Sequence, residues 1–277
     1  MIKQLIKHVA SFFGVSIIRK SRPSMVAHNA EISNPFIGYD YAIDGWNAIQ
    51  LVKDYTMLPQ VNLMTLFEQV VYCEKNNIEG SLVECGVWKG GAVGVMARAN
   101  QIFGVQRRDL HLYDSFDDIN PPDAKIDGAK AIADTQQLMG LSEVEKMNGQ
   151  LEAIKGGYDK LGGHGTIEIC DELLVDILKY PKENIHYHKG WFQDTLPITK
   201  NAVGKIAVLR LDGDWYDAIK VCLENLYDKV EKGGIVIIDD YGYYDGCTKA
   251  VDEFLLARNV KTFLSYSRVN CRYFVKS

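Results

Sequence analysis

Several large classes of protein are excluded by what this chain lacks. Its 277 residues contain no run of about 18 uninterrupted apolar residues, so no segment reads as a membrane span. No apolar core is followed by a small-residue cleavage site, so a secretory signal is not expected. The six cysteines include no CxxC pair and no short-spaced framework. Cys85 and Cys222 sit inside apolar runs, and the set reads as reduced thiols of a cytoplasmic protein rather than disulfides or a zinc site. A formal charge of -5 implies no broad basic surface, which argues against a nucleic-acid partner.

Acid is missing from residues 1 to 30, where Lys3, Lys7, Arg19, Lys20 and Arg22 stand alone. There Ile2, Leu5, Ile6, Val9, Phe12 and Phe13 share one helical face. Residues 1–34 therefore read as a helical, amphipathic, basic arm. It packs on its own domain or on a partner subunit, or it touches the inner face of a membrane peripherally through residues 1–20. Pro23 and Pro35 mark breaks between the arm and residues 35–277.

With 47% hydrophobic residues, the rest of the chain can bury the core of one large domain. Apolar runs alternate with helical periodicity. Strands are expected at Ser81 onward, Asp109–Asp114, Asn184–His188, Lys205–Leu211, Ile235–Ile238 and Arg272–Lys276. Helices are expected at Asn62–Asn76, Ala92–Phe103, Tyr216–Val230 and Thr248–Arg258. This alternation predicts an α/β fold with a doubly wound, mostly parallel sheet. Residues 115–184, rich in polar residues and glycine, are too long for a plain connection and read as a lid. Helical stretches are expected inside it at Ala129–Met139 and Asp171–Tyr180.

Two acidic clusters end two of the apolar runs, Asp212-Gly-Asp214 and Asp239-Asp240. A right-handed βαβ unit brings both to the carboxyl ends of adjacent parallel strands, the edge where open α/β sheets bind ligands. Carboxylates converging there repel one another unless a cation lies between them. An all-oxygen donor set favours Mg²⁺, Mn²⁺ or Ca²⁺ over zinc. Asp214, just before the helix from Trp215, reads first as a residue stabilised by the helix dipole.

The turn Glu84-Cys-Gly86-Val-Trp-Lys-Gly90-Gly91 follows a strand and opens a helix, and Asp114 ends the next strand. That is a nucleoside-binding layout, with Asp114 placed for ribose hydroxyls. The turn is neither G-x-G-x-x-G nor a phosphate loop, so nothing cradles a polyphosphate. Glu84 inside it suits a cationic ligand, and S-adenosylmethionine fits both ends.

Together Tyr55-Thr-Met57, Val83 to Gly91, Tyr113 to Phe116, Gly190 to Pro197, Leu209 to Asp214 and Ile238 to Gly242 resemble the macrocin O-methyltransferase family. The resemblance implies a class I, Rossmann-like methyltransferase acting on a sugar-bearing small molecule or glycan, with S-adenosylmethionine and Mg²⁺ or Mn²⁺. It implies Asp212, Asp239 and Asp240 as metal ligands, and Thr56, Met57, Glu84, Gly86 and Asp114 around the cofactor. It also suggests a homo-oligomer. Asp212 is the expected catalytic base, with Asp214 second. The stretch from about Asp123 to Cys170 is longer than the family pattern leads one to expect.

Other residues carry paired readings. His186 and His188 alternate along a strand, so one of them is expected to face the site, and His164 is a further candidate base. Trp191 and Phe192 pack the sheet edge or stack on a sugar. Tyr241, Tyr243 and Tyr244 line an acceptor pocket or pack their own loop. Two other functions fit the same residues less fully: methylation of a catechol-like phenol, and a non-catalytic, membrane-associated scaffold in glycan assembly.

Overall fold

The buried strands are short apolar runs that have to be covered on both faces, and they form the middle of one seven-stranded sheet. The computed structural model describes residues 38–268 and 270–277, so the arm at residues 1–34 and its membrane reading lie outside the described residues. The strands are β1 (Ser81–Cys85), β2 (Leu110–Asp114), β3 (Ile185–Lys189), β4 (Ile206–Leu211), β5 (Val230–Ile238), β6 (Ser265–Arg268) and β7 (Cys271–Val275). Their spatial order is β3-β2-β1-β4-β5-β7-β6. Strands β1 to β5 are parallel, and β7 lies antiparallel between β5 and β6. Every residue of β1 and β4 is buried, which is why these runs are continuous rather than alternating.

The helices are α1 (Ala42–Val52), α2 (Gln60–Lys75), α3 (Gly91–Phe103), α4 (Gly128–Asp134), α5 (Ile167–Asp171), α6 (Phe192–Val203), α7 (Tyr216–Leu226) and α8 (Asp245–Ala257). The expected doubly wound, mostly parallel α/β fold is the one observed. Among the described residues, no helix is long and apolar enough to cross a membrane.

Three local readings change. The helix expected to reach Val230 stops at Leu226. A 3₁₀ turn follows, and Val230 already pairs with Ile206, so the glycines at 233 and 234 lie within β5 rather than before it. A register shift between Ile206 and Val208 lets β5 start early. Helix α6 escapes periodicity because Pro197 sits inside it, a residue that normally ends a helix. Within the insertion, the expected helices at 129–139 and 171–180 become α4 and α5, each continued by a π-type turn at Thr135–Met139 and Glu172–Ile177.

What positions the site is the carboxyl edge of the sheet. Each central strand continues one hydrogen bond past its end: Gly86 N donates to Tyr113 O, Asp212 N to Cys85 O and Asp239 N to Leu211 O, all at 2.8 Å. Gly190 N donates to Asp114 O at 2.9 Å. Asp114, Gly86, Asp212 and Asp239 are therefore set side by side along one edge.

Candidate active site

The glycine turn closes around Asp114. Its Oδ2 accepts from the backbone amides of Val87 at 2.6 Å and Trp88 at 3.0 Å, and Oδ1 accepts from Phe116 N at 2.7 Å. Burial raises the Asp114 pKa, and these amides pull it back. Gly86 adopts φ +88°, and a Cβ there would lie 1.8 Å from the carbonyl oxygen of Asp212. Only glycine lets the β1 turn approach β4 that closely. Behind the turn, a Cβ on Gly91 would meet Thr56 Cβ at 2.5 Å. Thr56 thus supports the turn from outside, while Met57, Gly86 and Asp114 line a cavity of about 240 Å³.

Beneath the acidic clusters lies a residue to which sequence reasoning assigned no role. Arg210 interrupts the apolar run of β4, stands in register beside Glu84, and is 3% exposed. Its Nη1 donates to Glu84 Oε1 and, at 2.9 Å, to Asp212 Oδ2, while Nη2 donates to Asp239 Oδ2. A charged side chain in a fully buried strand requires such partners, and that requirement was the signal available in the sequence. Glu84, 1% exposed, leaves Oε2 buried without a partner among the described residues. Burial pushes its pKa up to about 8, although Arg210 opposes the shift. Glu84 does not line the cavity, so it meets the site only through Arg210.

The carboxylates that the structure gathers are Asp212, Asp214 and Asp240, with ligand oxygens all within 4.8 Å of one another. Asp239, expected beside Asp212 and Asp240, gives Oδ2 to Arg210 and accepts with Oδ1 from its neighbour's amide at 3.2 Å. Asp214 departs from its reading as a helix-terminal residue. Its φ of +54° turns it into the cluster, and the first amide of α7, on Tyr216, is capped instead by Asp127 Oδ1 of the insertion at 2.8 Å. Burial, then repulsion from Asp212, raises the Asp214 pKa well above the carboxylate range. Burial and Asp214 do the same to Asp240. Asp239 rises only to about 6, because Arg210 offsets part of its burial and its repulsion from Asp212. Such a cluster binds protons tightly when no other positive charge is present, and its all-oxygen donors fit a divalent cation.

The insertion roofs this edge. Trp215 Nε1 donates to Asn120 O at 3.0 Å, and Tyr244 OH donates to Asp134 Oδ2 at 3.1 Å. Trp191, Phe192 and Tyr244 line the cavity. Tyr241 turns away and donates to Asp252 Oδ1 at 2.7 Å. His164 lies apart, its Nδ1 3.9 Å from Asp118 Oδ1.

The histidine reading is corrected. Residues two apart on a strand share a face, and both His186 and His188 stack on His111 of β2, with ring centroids 4.7 and 5.3 Å away. His188 Nε2 lies 3.0 Å from His111 Nδ1. Burial drives the pKa of His111 down to about 3 and that of His188 to about 4, so both are neutral. Neither lines the cavity.

With this geometry in place, comparison with known proteins identifies relatives. The family model described as Macrocin-O-methyltransferase (TylF) matches residues 44–152 and 176–276. The demethyldecarbamoylnovobiocin O-methyltransferase of Streptomyces niveus is 35% identical over 184 residues, 65% of this chain and 59% of that protein. A Streptomyces olivaceus protein, the 8-demethyl-8-(2,3-dimethoxy-alpha-L-rhamnosyl)-tetracenomycin-C 4'-O-methyltransferase, is 31% identical over 195 residues, 68% of this chain and 64% of its own length. This chain thus spans about three fifths of the length of these two relatives. The solved structure of the O-methyltransferase NovP matches with a TM-score of 0.61 and 29% identity, covering 80% of this chain and 82% of NovP. The family match covers most of the chain and contains both acidic clusters, the glycine turn and Asp114: the chain belongs to the macrocin O-methyltransferase family.

Proposed function

We propose that this chain is an S-adenosylmethionine-dependent O-methyltransferase that uses a divalent cation, Mg²⁺ or Mn²⁺, to methylate a hydroxyl of a sugar-bearing small molecule or glycan. The observation that carries the reading is that a glycine turn closed on Asp114 opens onto the same cavity as Asp212 and Asp214, two members of the three-carboxylate cluster they form with Asp240. The names of the relatives support it: each is an O-methyltransferase, and the Streptomyces olivaceus protein is named for a rhamnosyl group.

Met57, Gly86 and Asp114 bound the cofactor end, with Thr56 and Glu84 supporting the turn and strand behind them. Asp212 and Asp240 would hold the cation, and Asp239 ties the Asp240 amide to Arg210. A divalent cation held there would supply Lewis-acid and template chemistry to the acceptor hydroxyl. Asp214 is the better proton acceptor than Asp212, because Arg210 already occupies Asp212 Oδ2. In the transfer, the hydroxyl proton passes to the Asp214 carboxylate while the acceptor oxygen bonds the methyl carbon. The carbon–sulfur bond breaks, leaving S-adenosylhomocysteine. Phe192 and Trp191 shield the reacting atoms from water.

The test is transfer of labelled methyl from S-adenosylmethionine to a panel of nucleotide sugars and glycosides, with catechols alongside, in Mg²⁺ and in EDTA. The proposal expects glycoside products that vanish in EDTA and fall at least about 100-fold in Asp214→Asn. Catechol products alone, or full activity in EDTA, would sink it.

A further inference from the structure

The family match breaks off at residue 152 and resumes at 176. The stretch between, which the family pattern does not account for, is part of the cavity wall: Tyr158, Leu161 and Gly165 all line it. It is also bolted to the glycine turn. Trp88 Nε1 donates to Gly163 O at 2.9 Å, and Lys89 Nζ donates to Gly162 O at 2.7 Å. Gly165 packs so closely that a Cβ would lie 1.7 Å from the carbonyl oxygen of Trp88. From below, the carboxylate of Asp118 accepts from Gly156 N at 2.8 Å and Tyr158 N at 3.0 Å. Tyr158 thereby enters the cavity with a hydroxyl that has no hydrogen-bond partner among the described residues, close enough to Asp114, Asp212 and Asp214 to feel their charge.

A wall that grips the cofactor turn by three contacts, and brings one unpaired donor into the cavity, is arranged to hold what that turn binds. We propose that residues 153–175, outside the family match, are a clasp that retains the methyl donor and its product, with the Tyr158 hydroxyl donating to the bound nucleoside. The inference rests on the cofactor reading above. The clasp adds contacts beyond those of Asp114 and the glycine turn, so its loss speeds release more than it slows entry.

The test is calorimetric titration and stopped-flow release of S-adenosylhomocysteine on the full chain with Mg²⁺. Gly165→Ala, which wedges the segment off Trp88, should weaken binding at least tenfold, mainly through faster release. Tyr158→Phe, which removes one hydroxyl, should weaken it by about three- to tenfold, the share of one hydrogen bond. Lys155→Ala, exposed on the same segment, should bind as wild type does. Thermal melts check that each variant is folded. If Tyr158→Phe, or a folded Gly165→Ala, binds like a wild type that does bind, the clasp is overturned alone. A folded wild type that takes up no S-adenosylhomocysteine overturns it together with the cofactor reading.

Discussion

Replacing Arg210 with methionine is the sharpest single perturbation, because the floor of the site is a charge balance. One guanidinium faces three carboxylates, Glu84, Asp212 and Asp239, so with all three ionised, as high pH favours, the net charge is +1 − 3 = −2. In Arg210→Met it becomes −3, with Glu84 and Asp239 at 1% and 4% exposure left without a counter-charge. Methionine fills the space of the arginine stem, so the loss is mainly electrostatic. Removing one partner of a buried ion pair costs about 3–5 kcal/mol. The folded variant can relieve this by protonating an orphaned carboxylate. Forcing a proton onto an acid of ordinary pKa about 4 costs about 5 kcal/mol near pH 8 and about 2 kcal/mol near pH 5.5, at about 1.4 kcal/mol per unit. Urea unfolding in EDTA, followed by circular dichroism, should therefore show a loss of about 3–5 kcal/mol near pH 8 that shrinks by about half near pH 5.5. A loss below about 1 kcal/mol at the higher pH, or one no smaller in acid, would refute the charge-balance argument.

Three further outcomes follow from particular distances and pKa directions. Gly86→Ala places a methyl group 1.8 Å from Asp212 O at φ +88°, and should cost at least about 2 kcal/mol in a chemical melt; an unchanged midpoint would show that the turn can relax. Asp214 and Asp240 hold protons above the usual carboxylate range. Without a cation, the native state therefore binds more protons than the unfolded chain above about pH 4, and stability falls as pH rises. Mg²⁺ should displace those protons and raise the melting temperature more near pH 8 than near pH 6, with proton release measurable by titration in buffers of different ionisation enthalpy. His111 and His188 stay neutral to about pH 3 and 4, whereas the unfolded chain protonates its histidines near 6.5. These two side chains therefore remove stability as pH drops below 6.5. His111→Leu should flatten that acid loss by up to about 1.4 kcal/mol per pH unit relative to wild type; parallel curves would contradict the buried neutral pair.

The sheet was legible because its central strands are buried on both faces and end at punctuating acids and glycines. Leu211 to Asp214 and Ile238 to Asp240 announce both the fold and the site edge. The need of Arg210 for partners was legible but their identity was not, since it depends on cross-strand register with Glu84 and on which carboxylate of each pair turns inward. Asp214 was misread for a related reason: the cap of α7 comes from Asp127, almost ninety residues earlier, and no local pattern reveals that. Helix α6 was hidden by Pro197. The docking of residues 153–175 onto Trp88 is likewise non-local, although Gly165 marked where close approach would be needed.

The central claim is that the cavity at the carboxyl edge binds S-adenosylmethionine through Asp114 and the turn it closes. The most direct measurement is isothermal titration of S-adenosylmethionine and S-adenosylhomocysteine into the folded chain and its Asp114→Asn variant. Asparagine keeps an acceptor for the turn amides but loses the charge. The account predicts dissociation constants of about micromolar for the wild type, near −8 kcal/mol, and binding at least tenfold weaker in the variant. No binding by a demonstrably folded wild type would contradict it.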